Sequence, residues 1–284
     1  MKNGIFIPAL ERLRAEGKGW LEPEPFQDYA AMHELAVRGT APYISVQSFS
    51  HLAGELVDER VMVFRLGAST RSRHTDFALV RVVEDWKDYF LFDEEIFADL
   101  EPEKIEVDWR SPRLFPFLTI PKLTETSHVN LALASGVFEK ALNIDPGGIS
   151  IPATGKGCYD FIVRPHARLD AEWHHRAGQV EIDSVFTTSA SGRKTLFVIE
   201  AKSGRKLSSL PKYKLVYPLL AVADRIPEDF EIVPVYLRII ETPACFRFHV
   251  AVCRIPDPRR NSACINQLEV KQARIIELSK AGAD

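Results

Sequence analysis

No run of apolar residues in the 284-residue chain approaches the length that spans a bilayer. The N-terminal stretch Ile5 to Leu10 is only six residues long and contains Pro8, too short and too broken for a secretory signal. Cysteine is scarce: Cys158, Cys245, Cys253 and Cys264 form no C-x-x-C pair. Zinc-ribbon and thioredoxin-type chemistry are thereby excluded, and reduced, mostly buried thiols are expected. Internal repeats and low-complexity tracts are missing as well. A surplus of positive charge is also absent, the formal net charge being −3. These absences predict a soluble, cytoplasmic chain with no membrane partner. Hydrophobic residues make up 46% of it, enough for a proper core, and the length admits two ordinary domains or one large one.

The distribution of charge is more informative than its sum. Between Glu84 and Asp108 eleven acids stand against Lys87 and Lys104, a local charge of −9 that leaves +6 on the rest. Such a basic remainder permits a surface for nucleic acid. Pro112, Pro116 and Pro121 then suggest a boundary, with an N-terminal α+β domain over 1–112 and a second domain over 113–284.

In the N-terminal part, Phe26 to Arg38 has helical spacing, and Ser45 could cap a second helix to Val57 that buries Val46, Phe49, Leu52 and Leu56. Two β-rich runs follow, Val61–Leu66 and Asp76–Val83, joined by a basic tip with Arg71, Arg73 and His74. Helix, helix, hairpin is the outline of a winged helix, with the tip free to meet phosphates. The plainer alternative is a solvated hairpin on a small α+β domain.

The C-terminal part reads as a helix (Val129–Asn143) and strands at Tyr159–Val163, Val180–Phe186 and Thr195–Ala201, the last two joined by a turn at Ala190–Arg193. A helix over Pro211–Ala223 and strands at Ile232–Ile240 and Cys245–Val252 complete it. This order predicts the α/β class, a central mixed sheet flanked by helices.

Strand side chains alternate faces with period two. Glu181 and Asp183 therefore share a face, and so do Val198, Glu200 and Lys202. If the two strands pair as a hairpin, Asp183 lies beside Glu200, and two carboxylates converge with one amine. Two adjacent carboxylates repel, and one would be forced to hold its proton unless a cation intervened. Magnesium takes oxygen ligands, commonly one or two carboxylates plus water and substrate phosphate. It also matches the charge that builds on a phosphodiester during hydrolysis, which a nearby lysine can further stabilise. The alternative on pattern alone is a solvent-facing salt bridge across a hairpin.

Gln179-Val-Glu-Ile-Asp-Ser-Val-Phe186 followed by Leu196-Phe-Val-Ile-Glu-Ala-Lys-Ser-Gly204 resembles the PD-(D/E)XK nuclease superfamily, most closely its type II restriction endonucleases. The resemblance covers roughly the C-terminal half, and it departs from the motif in having Ile182 where the proline of its name would stand. It implies a restriction-endonuclease-like core in which Asp183, Glu200 and the Ala201 carbonyl hold Mg²⁺ and Lys202 serves the attacking water. The implied activity is site-specific cutting of double-stranded DNA to 5′-phosphate and 3′-hydroxyl ends by a homodimer. A supporting acid on the first core helix is also implied, for which Glu139 and Glu125 are the candidates, and Glu181 is a further one on the active face. Arg205, Lys206, Lys212 and Lys214 follow the motif as a basic cluster and are candidate DNA contacts beside Arg71, Arg73 and His74. A repair, junction-resolving or other defence nuclease would share the chemistry, and a DNA-binding protein with a coincidental motif would lack it. His174 and His175 are adjacent, which argues against a shared zinc site, and Arg259 and Arg260 are expected on solvated surface.

Overall fold

A computed structural model describes residues 4–144, 148–190, 193–260 and 262–281. The N-terminal elements are α1 (Ile7–Glu16), β1 (Glu24–Pro25), α2 (Phe26–Met32), α3 (Ala41–Ile44), α4 (Gly54–Asp58), β2 (Val61–Ala68) and β3 (Thr75–Arg81). The acidic stretch holds β4 (Phe90–Phe92), α5 (Asp93–Phe97) and β5 (Glu103–Ile105). Then come α6 (Phe115–Leu118), α7 (Glu125–Ala134), α8 (Val137–Leu142), β6 (Ala153–Val163), β7 (Trp173–Ala190) and β8 (Arg193–Gly204). The chain ends with β9 (Ser209–Pro211), α9 (Tyr213–Ala223), β10 (Phe230–Glu241), β11 (Cys245–Arg254) and β12 (Glu269–Ser279).

The central sheet has seven strands in the order β5-β12-β11-β10-β8-β7-β6. It is mixed: β8 and β10 run parallel, as do β5 and β12, and the other neighbours are antiparallel. A parallel pair needs a crossover, which α9 provides between β8 and β10. Helices flank the sheet, so the α/β mixed-sheet class holds. On one face Val129, Leu131 and Phe138 from α7 and α8 pack against Phe197, Ile199, Ala201 and Leu237. On the other, α9 and the N-terminal segment share a core with Tyr236, Ala251 and Ile275. Residues on both sides of the expected boundary at 112/113 thus enter one core, and β5, which precedes it, forms an edge of the central sheet.

Several elements differ from expectation for identifiable reasons. The helix expected over Val129–Asn143 starts earlier, where Thr124 accepts a hydrogen bond from the Ser127 amide as an N-cap. It is then divided at Gly136, whose φ of 82° ends one helix and starts the next. The helix expected over Phe26–Arg38 stops at Met32, ahead of Glu34 at φ 53°. The helix expected from Ser45 to Val57 is replaced by a single turn at Phe49–His51 and the five-residue α4. Its apolar side chains anchor an irregular segment, because Phe49 donates its amide to the Ser209 hydroxyl and Val46 accepts from Tyr213. The hairpin β2–β3 forms, but β1 joins it in a three-stranded sheet. The helices that precede this hairpin, α2, α3 and α4, are all short. The turn expected at Ala190–Arg193 includes Ser191 and Gly192, which lie outside the described residues; the flanking strands pair up to Ala190 opposite Arg193.

Cys245, Cys253 and Cys264 are buried free thiols, as expected, and Cys158 is exposed. Among the described residues, no helix is long and apolar enough to cross a membrane.

Candidate functional site

The ladder between β7 and β8 runs down to Ser184 opposite Ile199. Continued by one residue it would set Asp183 opposite Glu200. There the strands part, and the Ala201 amide donates to Asp183 Oδ2 at 2.8 Å, a side chain taking the place of a backbone acceptor. Asp183 is thereby fixed at the mouth of a cleft. Glu200 and Lys202 share its face because they are two apart on β8. The Lys202 ammonium lies 2.8 Å from Glu200 Oε1, 2.8 Å from the Ala201 carbonyl oxygen and 3.8 Å from Asp183 Oδ2. The expected convergence of the three side chains is therefore present.

A fourth side chain joins them. Glu125, the first residue of α7, approaches Lys202 at 3.5 Å with one oxygen and accepts the Ser203 amide at 2.9 Å with the other. Of the two helix acids expected as support, Glu125 stands at the site. Glu139 does not: it lies on α8, outside the cleft lining, with Arg113 at 3.8 Å. Glu181 lines the same cleft as Asp183, as period two requires.

Burial dominates the electrostatics. The Glu200 side chain is only 6% exposed, and desolvation, against the opposing pull of Lys202, raises its pKa to about 7. Desolvation also raises Asp183, opposed by Lys202 and by the Ala201 amide. For Lys202 burial works against the charge, yet Glu200, Asp183 and Glu125 together outweigh it and hold the ammonium above its ordinary value. Three carboxylates thus converge on one cation, and Glu200 stays partly protonated at neutral pH.

This arrangement fits magnesium as the sequence resemblance implies. The oxygens of Asp183, Glu200 and the Ala201 carbonyl already converge on a positive charge, and all are hard donors. Among the described residues no three His, Cys, Asp or Glu side chains assemble a ready-made cage. Two carboxylates completed by a carbonyl and water suit magnesium better than zinc.

The cleft measures about 480 Å³ and has two walls. The C-terminal wall carries Glu125, Asp183, Glu200, Lys202 and Lys214, and Ser45, Gln47 and Arg65 from the N-terminal segment form the other part of the lining. Tyr213 and Tyr217, one turn apart on α9, join the two. Tyr213 Oη donates to the Val46 carbonyl at 2.7 Å and Tyr217 Oη to the Arg65 carbonyl at 3.1 Å. His175 contributes to the lining, stacked on Phe161 with ring centroids 4.4 Å apart, and burial lowers its pKa to about 4. Its neighbour His174 is exposed, so the adjacent pair does not act together.

The other expected contacts divide. Lys214 lines the cleft, with its pKa lowered by burial. Lys212 is a correction: it is 6% exposed and donates to the Asn266 carbonyl at 3.1 Å, so it is turned into the protein, away from any phosphate. Arg205 and Lys206 are exposed just past the end of β8 and do not line the cleft. Arg71 and Arg73 are exposed between β2 and β3, outside the cleft lining, and His74 sits 3.5 Å from Asp28. Arg259 is held by Asp257 at 2.8 Å.

Sequence reasoning missed Arg65, Ser45, Gln47, Gln179, His175 and the two tyrosines as cleft residues. For Arg65 a signal existed, since it is the one charged residue in the apolar run Val61–Leu66. The acidic stretch also hides a buried anchor. Asp93 is fully buried and accepts from Arg238 Nε at 2.8 Å, Tyr236 Oη at 2.8 Å and the Ser208 amide at 2.7 Å. Arg238 stands opposite Lys202 on the neighbouring strand, so this cluster braces the chain where it leaves the site.

No curated protein and no solved structure matches the chain. A family model does match, over residues 92–269, which takes in the buried Asp93 anchor, the C-terminal wall of the cleft and α9. The chain belongs to the family described as Domain of unknown function (DUF6997).

Proposed function

We propose that the protein is a magnesium-dependent DNA endonuclease of the PD-(D/E)XK type. In this reading it cuts double-stranded DNA at specific sites, in the manner of a type II restriction enzyme, and leaves 5′-phosphate and 3′-hydroxyl ends. The observation that carries it is the meeting of Asp183, Glu200 and Lys202 at one point of one cleft. The chain order of two helices, three antiparallel strands, a helix and a strand parallel to the third supports the same reading.

Asp183, Glu200 and the Ala201 carbonyl would hold the magnesium ion, which when bound supplies charge stabilisation to the phosphodiester under attack. Asp183 is kept in place by the Ala201 amide rather than by a flexible partner. Lys202 keeps its proton, so it serves as a cation that orients water and stabilises the extra negative charge of the five-coordinate phosphorus, not as a base. Water adds to phosphorus and gives up a proton to solvent, the bond to the 3′-oxygen breaks, and that oxygen leaves as the hydroxyl after taking a proton back from solvent. A twofold assembly of two chains would match a palindromic site and cut both strands. Action in the cytoplasm is part of the same proposal.

The test is incubation of supercoiled plasmid and phage DNA with the protein and Mg²⁺, followed by mapping of the ends. Asp183→Asn is expected to abolish cleavage while DNA binding persists. Equal cutting by mutant and wild type would refute the assignment, as would failure of the wild type to cut in Mg²⁺.

A further inference from the structure

Arg65 is the one charged residue of the run Val61–Leu66. It interrupts an apolar strand, Val61-Met-Val-Phe-Arg-Leu66, and it is half-buried. The register between β2 and β3 shifts between Arg65 and Ala68, with one extra residue in β2. Bulges of this kind re-aim a side chain, and here the arginine lines the cleft. Its main chain is pinned twice nearby. Tyr217 donates to its carbonyl, and Gly67 lies so close to the Arg176 backbone that a Cβ there would overlap the Arg176 carbonyl oxygen.

The guanidinium has almost nothing to bind inside the protein. Among the described residues no carboxylate lies within 4 Å of it, and its one side-chain hydrogen bond is a long one, 3.4 Å, to Ser45 Oγ. Lys202, by contrast, is surrounded by three carboxylates. An arginine carries five donors in a fixed fork suited to phosphate, and a half-buried one without a counter-charge leaves that capacity unused. The cleft between Arg65 and the acids, about 480 Å³, falls in the size range of sites for small ligands, roughly 300–1,000 Å³. It has room for a nucleotide-sized part of one strand.

We propose that Arg65 is the phosphate-binding residue of the cleft's N-terminal wall, gripping the DNA backbone next to the phosphodiester that lies at Asp183, Glu200 and Lys202. The inference rests on the nuclease reading for the identity of the anion. It gives the segment before residue 92, outside the matched family region, a role in substrate binding. The second jaw then acts through the backbone and not through base reading.

The experiment measures binding of fluorescein-labelled single-stranded and duplex DNA oligonucleotides to the full chain in EDTA, by anisotropy, across a KCl series. Wild type is compared with Arg65→Met and Arg65→Gln, either of which suffices if folded by circular dichroism, and with Arg65→Lys. Loss of one phosphate contact lowers the slope of log affinity against log salt by about 1. That corresponds to about tenfold weaker binding at 0.1 M KCl, vanishing toward 1 M. Arg65→Lys is expected to keep the wild-type slope. An unchanged slope in the charge-removing variants overturns the inference, because a purely structural arginine would weaken binding equally at every salt concentration. Absence of any DNA binding by the wild type overturns it too. The nuclease reading is judged separately, by plasmid cleavage in Mg²⁺: cleavage with an unchanged Arg65 slope removes only this inference, whereas salt-dependent binding without cleavage removes only the nuclease.

Discussion

Substituting Glu200 by glutamine tests the electrostatics of the site without any assumption about DNA. Glu200 is almost wholly buried, and burial raises its pKa from the ordinary 4.5 to about 7 despite Lys202 at 2.8 Å. The folded pKa lies above the unfolded one, so the protonated carboxyl is the form the fold prefers. Its contribution to stability is fully present below about pH 4.5 and is lost as pH rises through about 7. The displacement corresponds to about 3 kcal/mol, of which about 2 to 3 kcal/mol is lost between pH 5 and pH 8.5. Asp183 is displaced in the same direction, though it is common to wild type and variant. Urea denaturation of metal-free wild type and Glu200→Gln should therefore give curves that diverge with pH, the variant gaining on the wild type by that amount at pH 8.5. Magnesium should then close the gap. An ion bound only by the folded wild type adds about 2.7 kcal/mol at a hundredfold excess over its dissociation constant, and the variant has lost one ligand. Parallel curves would show that Glu200 is solvated as an ordinary surface acid. Equal stabilisation of both proteins by magnesium would show that the ion is not held by Glu200.

Two further substitutions probe how the site is braced. Gly67→Ala places a methyl group on the Arg176 carbonyl oxygen, so β2 must move off β7; a loss on the order of 3 kcal/mol is expected in urea denaturation, and an unaffected midpoint would mean the two strands are not in close contact. Asp93→Ala leaves the Arg238 guanidinium buried without its carboxylate and releases the Ser208 amide; about 3–5 kcal/mol should be lost, against no measurable change if Asp93 were one more solvated acid of its stretch.

The parts of the site legible in the sequence were those governed by the period of a strand. Asp183 is two residues from Glu181, and Glu200 two from Lys202, so a pairing of β7 with β8 in the register Ser184 opposite Ile199 brings their faces together. Strands β6, β7, β8, β10 and β11 of the central sheet were legible from apolar periodicity, as was α9 with its helical period, whereas β5 and β12 were not expected. What failed depended on where a helix begins. Glu125 and Glu139 are both ordinary helix glutamates by sequence, and the choice between them turns on the Thr124 cap and the break at Gly136. Together these set the start of α7 against the end of β8, where Glu125 receives the Ser203 amide, and carry Glu139 away to Arg113. Lys212 failed likewise. One residue before α9 it turns inward, whereas Lys214, two residues on, faces the cleft.

The helix expected over Ser45–Val57 failed for a deeper reason. Its apolar residues over Ser45–Val57 suit a helix, yet beside its local turns the segment also bonds to residues more than 150 positions away, Ser209 and Tyr213. An irregular backbone is tolerable only where its buried polar groups are satisfied, and β9 and α9 supply those partners. Tyr213 thus holds this segment, and Tyr217 the strand that carries Arg65, at the cleft that the acids also line. The N-terminal segment, expected as part of an α+β domain over 1–112, thus shares a core with the central sheet and lines the cleft. Its exposed hairpin tip, with Arg71 and Arg73, lies off the cleft, whereas the half-buried Arg65 below that tip lies on it. In the proposed reading it is Arg65, not the exposed tip, that would meet the phosphate beside the acids. A cation kept partly out of water with no carboxylate of its own is the costlier arrangement, and the better indication of a partner outside the protein.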